Sequence, residues 1–160
     1  MHHYNGTLRG ATVVEYGIAR YIGIDISNRQ VANARQRLAG YNARFERVDA
    51  LSASIVSNET PTLVVSQAVI QHFESVKYFK AFARQLSLIK APRVMLQTRL
   101  GKTRGKPLSD SAKKGEIQFA LHLSTRTLLA SLPDYKMVWN STHPVYASSY
   151  AFYGLELLTN

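Results

Sequence analysis

Apolar residues recur along this chain in two rhythms. Short, nearly continuous apolar runs, such as LVVS at 63–66 and VMLQ at 94–97, read as strands buried on both faces of a parallel sheet. Strands are predicted at Arg20–Ile26, Ala43–Val48, Thr62–Ser66, Arg93–Thr98, Lys136–Asn140 and Tyr150–Leu158. Between several of them the apolar positions fall three or four apart, the spacing of one helix face. Asn28–Ala39 places Val31, Ala34 and Leu38 together, with Ser27 or Asn28 as N-cap and Gly40 as the C-terminal stop. Glu74–Lys90 aligns Val76, Phe79, Phe82 and Leu86, leaves Lys77, Lys80 and Arg84 outside, and ends at Ala91-Pro92. A shorter helix over Thr125–Leu132 is closed by Pro133.

Strand and helix in alternation predict an α/β fold, a Rossmann-like three-layer sandwich with a mostly parallel sheet. The last two strands are separated by STHPVYASS, nine residues rich in turn formers. They are therefore expected to form a C-terminal antiparallel strand pair. Open sheets of this kind bind ligands beyond the carboxyl ends of their strands, and Asp25, Asp49 and Ser66-Gln67 all stand at such ends.

The 160 residues suit one domain, 1–160, with a sizeable core, and an apolar content of 46% is that of a globular chain. No apolar run is long enough to cross a membrane, and no signal-peptide pattern opens the chain. The absence of cysteine excludes disulfides and thiolate metal sites, and a cytoplasmic protein is expected. A formal net charge of +10 favours anionic partners. It is concentrated in a basic insertion over 99–119, where Arg99, Lys102, Arg104 and Lys106 lie on a Gly- and Pro-bearing loop. Solvated loop charge and contact with an anionic substrate or nucleic acid are both open readings of it. No aromatic interrupts the stretch from Arg99 to Lys114, which argues against base stacking there. His2-His3 does not make a metal site, and none is expected.

YIGIDIS, RFERVDALS, TLVVSQAVIQHF and RVMLQTR, in this order and with helices between, resemble the class I S-adenosylmethionine-dependent methyltransferases. The resemblance covers residues 10–98 well and the closing YAFYGLELL in outline. It implies S-adenosylmethionine as cofactor and methyl transfer to an acceptor that the sequence does not identify. It gives Asp25 the ribose hydroxyls, Ile26 the adenine face, Asp49 the adenine amine and Ala50 a backbone contact. Ser66 and Gln67 would line the methionine moiety, and His72 in QHF would stand beside the transfer centre. There the histidine is either a general base or a packing residue.

The family begins with a strand and a glycine loop that this chain lacks in regular form. TVVEYG at 12–17 lies too close to the next strand for a parallel crossover. Gly10–Tyr16 reads better as the end of the first helix, with residues 1–9 irregular and Gly6 and Gly10 as glycine-loop remnants at the cofactor. The expected fold is thus N-terminally truncated or remodelled. The alternative to an active enzyme is an inactive methyltransferase-like domain that binds a partner or nucleic acid through its basic surface.

Overall fold

The computed structural model describes residues 20–55, 60–100, 104–107, 119–145 and 148–159. Gly6, Gly10 and Lys102 lie outside the described residues, as does the predicted first helix. The chain divides into two compact units, Met1–Asn58 and Glu59–Asn160.

The first unit is a strand–helix–strand motif. Strand β1 (Tyr21–Asp25) pairs in parallel with β2 (Ala43–Arg47), in a register running from Tyr21↔Ala43 to Asp25↔Arg47. Helix α1 (Asn28–Arg37) joins them. It starts where predicted, because the Ser27 hydroxyl accepts from the Gln30 amide at 3.4 Å. It ends two residues short of the expected Ala39, and Gly40 then turns the chain at φ +93, a conformation that favours glycine. The apolar face of α1, Val31 and Ala34 with Leu38 just beyond, packs on Phe45, and Tyr21 and Ala43 close the cluster. The Phe45 ring lies so close to Gly23 that a Cβ there would sit 2.5 Å from Cδ1, so β1 needs glycine at this point. Arg35 holds helix to sheet by donating Nε and Nη2 to the Phe45 carbonyl at 3.1 and 2.6 Å.

The second unit is a mixed sheet organised about one long strand. β3 (Leu63–Ser66) leads through helix α2 (Val76–Ile89) into β4 (Arg93–Leu100), to which it pairs in parallel. Beyond β4 come β5 (Arg104–Pro107), β6 (Phe119–Leu123), the short helix α3 (Thr125–Ala130), β7 (Tyr135–Val145) and β8 (Ser148–Leu157). β8 runs antiparallel along Arg93–Arg99 of β4, and β7 runs antiparallel to β8. The other edge of β4 is shared: β3 takes Arg93–Leu96, and β6 takes Arg99–Leu100 in parallel.

The core of this unit joins Phe79, Phe82, Ala83 and Leu86 of α2 to Val94 and Leu96 of β4, Leu121 and Leu123 of β6, and Tyr153 and Leu155 of β8. Helix α2 is capped by Ser75, whose hydroxyl accepts from the Tyr78 amide at 3.1 Å, so it begins two residues after the predicted Glu74. Its C-terminal carbonyls are served from outside the helix. The buried Tyr135 hydroxyl lies 3.3 Å from the Leu86 oxygen and 3.1 Å from that of Ala91. Burial raises the Tyr135 pKa, with the nearby Asp134 charge adding to the effect.

Two expectations are corrected here. Residues Arg104–Pro107, read as part of a loop, form β5 and pair antiparallel with β6. The signal for β6 was present in the alternation of Phe119, Leu121 and Leu123. The link between the last two strands is likewise mostly strand, since β7 extends to Val145 and β8 starts at Ser148. Pro144 is tolerated in β7 because β7 is an edge strand.

Candidate functional site

At the carboxyl end of the β1–β2 pair, two acids and their neighbours are brought together. The Asp25 carboxylate turns back on its own chain, and its Oδ1 accepts from the Ser27 amide at 2.7 Å. Asp25 itself is exposed, and Oδ1 is the carboxylate oxygen used by the turn. The Asp25 carbonyl accepts from the Val48 amide at 3.1 Å, which places Asp49 one residue further along beside the same strand end. Asp49 organises its own turn, with Oδ1 accepting from the Leu51 amide at 2.8 Å. Ala50 opens the helical turns at Ala50–Ile55, which pack beside β1. Ile26 stands 63% exposed next to Asp25, an apolar side chain left in water at a strand end. A carboxylate, a second acid and an exposed apolar surface on one rim suit a polyhydroxylated ring carrying a flat base.

The second unit carries Ser66, Gln67 and His72 around the exit of β3. Ser66 is buried and its hydroxyl has no protein partner, while Gln67 is exposed. Next, Ala68 adopts φ 57, a left-handed conformation unfavourable for any residue with a Cβ. The bend is held from β4, where Gln97 Oε1 accepts from the Ala68 amide at 3.0 Å. Strain of this kind, about 1 kcal/mol or more, persists where surrounding contacts impose it, and it gathers at functional sites. A single helical turn, Ile70–His72, follows and packs against β6 and β4. Ile70 is buried, and Gln71 is buried with its Oε1 unpartnered. His72 Nε2 lies 3.2 Å from the Gln71 amide nitrogen. Rotating the Gln71 amide by half a turn would satisfy the histidine differently but leave its NH2 group as the unpartnered atom. One buried end of Gln71 thus lacks a protein partner in either orientation.

The alternating burial of β4 sends Val94, Leu96 and Thr98 to the core and Gln97 and Arg99 to the opposite face. Arg99 is half-buried, directly opposite Tyr150 of β8. Its Nε donates to the Tyr150 hydroxyl at 3.2 Å, and its guanidinium carbon lies 5.6 Å from the Tyr150 ring centroid. Burial and then the Arg99 charge push the His72 pKa below its ordinary value, although the residue keeps an exposed edge. The imidazole is therefore neutral at neutral pH and able to accept a proton.

Asp25, Ile26, Asp49 and Ala50 thus meet in the first unit, and Ser66, Gln67 and His72 in the second. Arg99, expected on a basic loop, instead lies in the paired part of β4 opposite Tyr150. Among the described aromatics of β8, Tyr153 is fully buried, with its hydroxyl 2.9 Å from Thr125 Oγ1. Gln97 had no signal in the sequence, because its role is to brace a bend in another strand. The side chains of Arg104 and Lys106 lie outside the described residues. Among the described residues no cluster of three potential metal ligands occurs, and no helix is long and apolar enough to cross a membrane.

By architecture this is an α/β protein with acids at the carboxyl ends of parallel strands. The chain belongs to the methyltransferase-domain family, which it matches over residues 5–91. Solved structures place the fold among S-adenosylmethionine-dependent methyltransferases. One from Methanosarcina mazei is 15% identical, with 92% of this chain and 87% of that one covered, at a TM-score of 0.71. One from Anabaena variabilis is 14% identical, covering 96% and 74%, at 0.70. The N-methyltransferase NodS from Bradyrhizobium japonicum, in complex with S-adenosyl-L-homocysteine, is 14% identical, covering 86% and 66%, at 0.61. No curated protein sequence matches this one.

Proposed function

We propose that the protein transfers a methyl group from S-adenosylmethionine to an acceptor. The observation that carries this reading is the rim at the end of β1 and β2, with Asp25, Asp49 and Ile26 side by side. Asp25 would accept from the vicinal ribose hydroxyls through charge-assisted hydrogen bonds, Ile26 would lie against the adenine, and Asp49 would meet its exocyclic amine. When bound, the cofactor would supply an electrophilic methyl on a positively charged sulfur that can depart as a neutral thioether. The chain's own work is then to position the acceptor and take up its proton. In the second unit the strained exit of β3 and the neutral His72 support that role. The family membership supports the same reading.

Isothermal titration calorimetry with S-adenosylhomocysteine tests it. Saturable one-to-one binding that weakens in Asp25→Asn is expected. Absence of heat with folded protein would overturn the reading and favour an inactive relative.

A further inference from the structure

Arg99 stands out among the basic residues whose side chains are described. It is half-buried at the carboxyl end of the central strand, yet no acidic side chain lies within ion-pair distance of it among the described residues. Arg93 and Lys136, by contrast, share Glu156 at 4.0 and 3.7 Å, and Arg44 meets Glu46 at 2.9 Å. A guanidinium taken partly out of water without a counter-ion is costly unless an anion joins it.

Its posture is also fixed. Tyr150 engages Nε at 3.2 Å and its ring lies under the guanidinium, 5.6 Å from centroid to Cζ, while neither Nη group of the terminal edge has a hydrogen-bond partner among the described residues. That is the edge that grips a carboxylate or phosphate with two parallel hydrogen bonds. Two further observations from the same unit point to a ligand. Ser66 Oγ and one end of the Gln71 amide are buried without partners among the described residues. Both residues belong to the segment that leaves β3 and carries His72, and His72 feels the Arg99 charge.

We propose that Arg99, set by Tyr150, anchors a carboxylate or phosphate of a small methyl acceptor whose reacting nitrogen or oxygen faces His72. The inference rests on the methyltransferase reading and adds the chemical class of the acceptor. A polyanion is the poorer fit, since its recognition relies on several exposed cations tracking a backbone. Here one half-buried fork acts with buried neutral groups. Tyr150 is a positioning residue in this scheme, because it acts through Arg99. Pairing of an anion with Arg99 also cancels the lesser of the two causes that depress His72, its Coulombic one, while burial of the ring remains. The proton released by an amine or hydroxyl acceptor then passes to the neutral ring, which becomes the imidazolium and returns it to water.

The test is a titration of the full chain with sodium acetate and, separately, inorganic phosphate, followed by NMR of the His72 ring. Sodium chloride at matched ionic strength is the control. A saturable shift with acetate identifies a carboxylate-bearing acceptor, and one with phosphate a phosphorylated one. Arg99→Gln is expected to abolish the response, and Tyr150→Phe to weaken it roughly threefold to tenfold, the worth of one hydrogen bond. Arg99→Lys keeps the charge but loses the fork, and a weakening of about tenfold is expected. This variant carries the test if Arg99→Gln does not fold. No response beyond that of chloride, or a response unchanged in these variants, overturns the proposal. So does tighter binding of a short single-stranded oligonucleotide that survives Arg99→Gln. S-adenosylhomocysteine calorimetry on the same samples separates the two readings. Lost cofactor binding with an intact anion response defeats the methyltransferase reading, whereas intact cofactor binding with no anion response defeats this inference alone.

Discussion

Replacing Asp25 separates recognition from folding, because its two carboxylate oxygens do different work. Oδ1 accepts from the Ser27 amide at 2.7 Å and so fixes the turn that presents Ser27 as the helix cap. Oδ2 is not used by the turn and is the oxygen proposed to meet the ribose hydroxyls. Asp25→Asn keeps an acceptor for the turn and removes the charge. The ligand then loses the difference between charge-assisted and neutral hydrogen bonds, about 1–2 kcal/mol, or roughly 5- to 30-fold in affinity. Asp25→Ala loses the turn as well, which adds about 1 kcal/mol of destabilisation, comparable with loss of a helix cap. Calorimetry with S-adenosylhomocysteine reads the first effect, and urea unfolding the second. The expected pattern is weaker binding at near-unchanged stability for Asn, and losses in both measurements for Ala. Wild-type affinity in Asp25→Asn would refute the ribose role, and equal stability of the two variants would refute the turn argument.

Three other outcomes follow from particular contacts. Tyr135→Phe removes the hydroxyl shared between the Leu86 and Ala91 carbonyls in a buried place; Leu86 keeps the Lys90 amide as donor, so urea unfolding should show a loss of about 1 kcal/mol. Unchanged stability would mean that the hydroxyl does not serve them. At Gly154 a Cβ would stand 2.0 Å from Trp139 Nε1, so Gly154→Ala should lift the indole off the strand. The chain has one tryptophan, so its emission should move to the red, with little cost in stability because the indole is half-exposed and free to move. An unshifted spectrum would contradict the packing. The His72 ring should titrate below its ordinary value of 6.5, and in Arg99→Gln the midpoint should rise while staying below 6.5, because burial remains. The folded chain holds this proton less tightly than the unfolded one. The stability linked to it is therefore present above pH 6.5 and lost as the pH falls through the folded value. A midpoint at or above 6.5 in the native protein would contradict both causes.

The strands and helices were legible because burial imposes period on sequence. Val31 and Ala34 of α1, with Leu38 just beyond it, share one face as their spacing required. LVVS was legible as a strand but not in its burial: among the described residues β3 pairs with β4 alone, leaving Leu63 exposed, Val64 and Val65 half-buried and only Ser66 buried. Strand ends were legible too, and with them the positions of Asp25 and Asp49 at the ends of the paired strands of the first unit and of Ser66 at the end of β3 in the second. The N-cap at Ser27 is local chemistry and needed no tertiary information. Arg104–Pro107 was hidden because its partner, β6, supplies the reason for it to extend, and Gly and Lys carry little strand preference of their own.

The arrangement around Arg99 was decided by tertiary structure alone. Tyr150 is 51 residues away in the chain, and only the antiparallel register of β4 with β8 puts the two opposite each other. Likewise, Gln97 braces Ala68 across 29 residues, through the parallel pairing of β3 with β4. Sequence fixes which residues are apolar, charged or turn-forming within a few positions of one another. Which charge loses its water, and which polar atom is left without a partner, depends on strands brought together from distant parts of the chain.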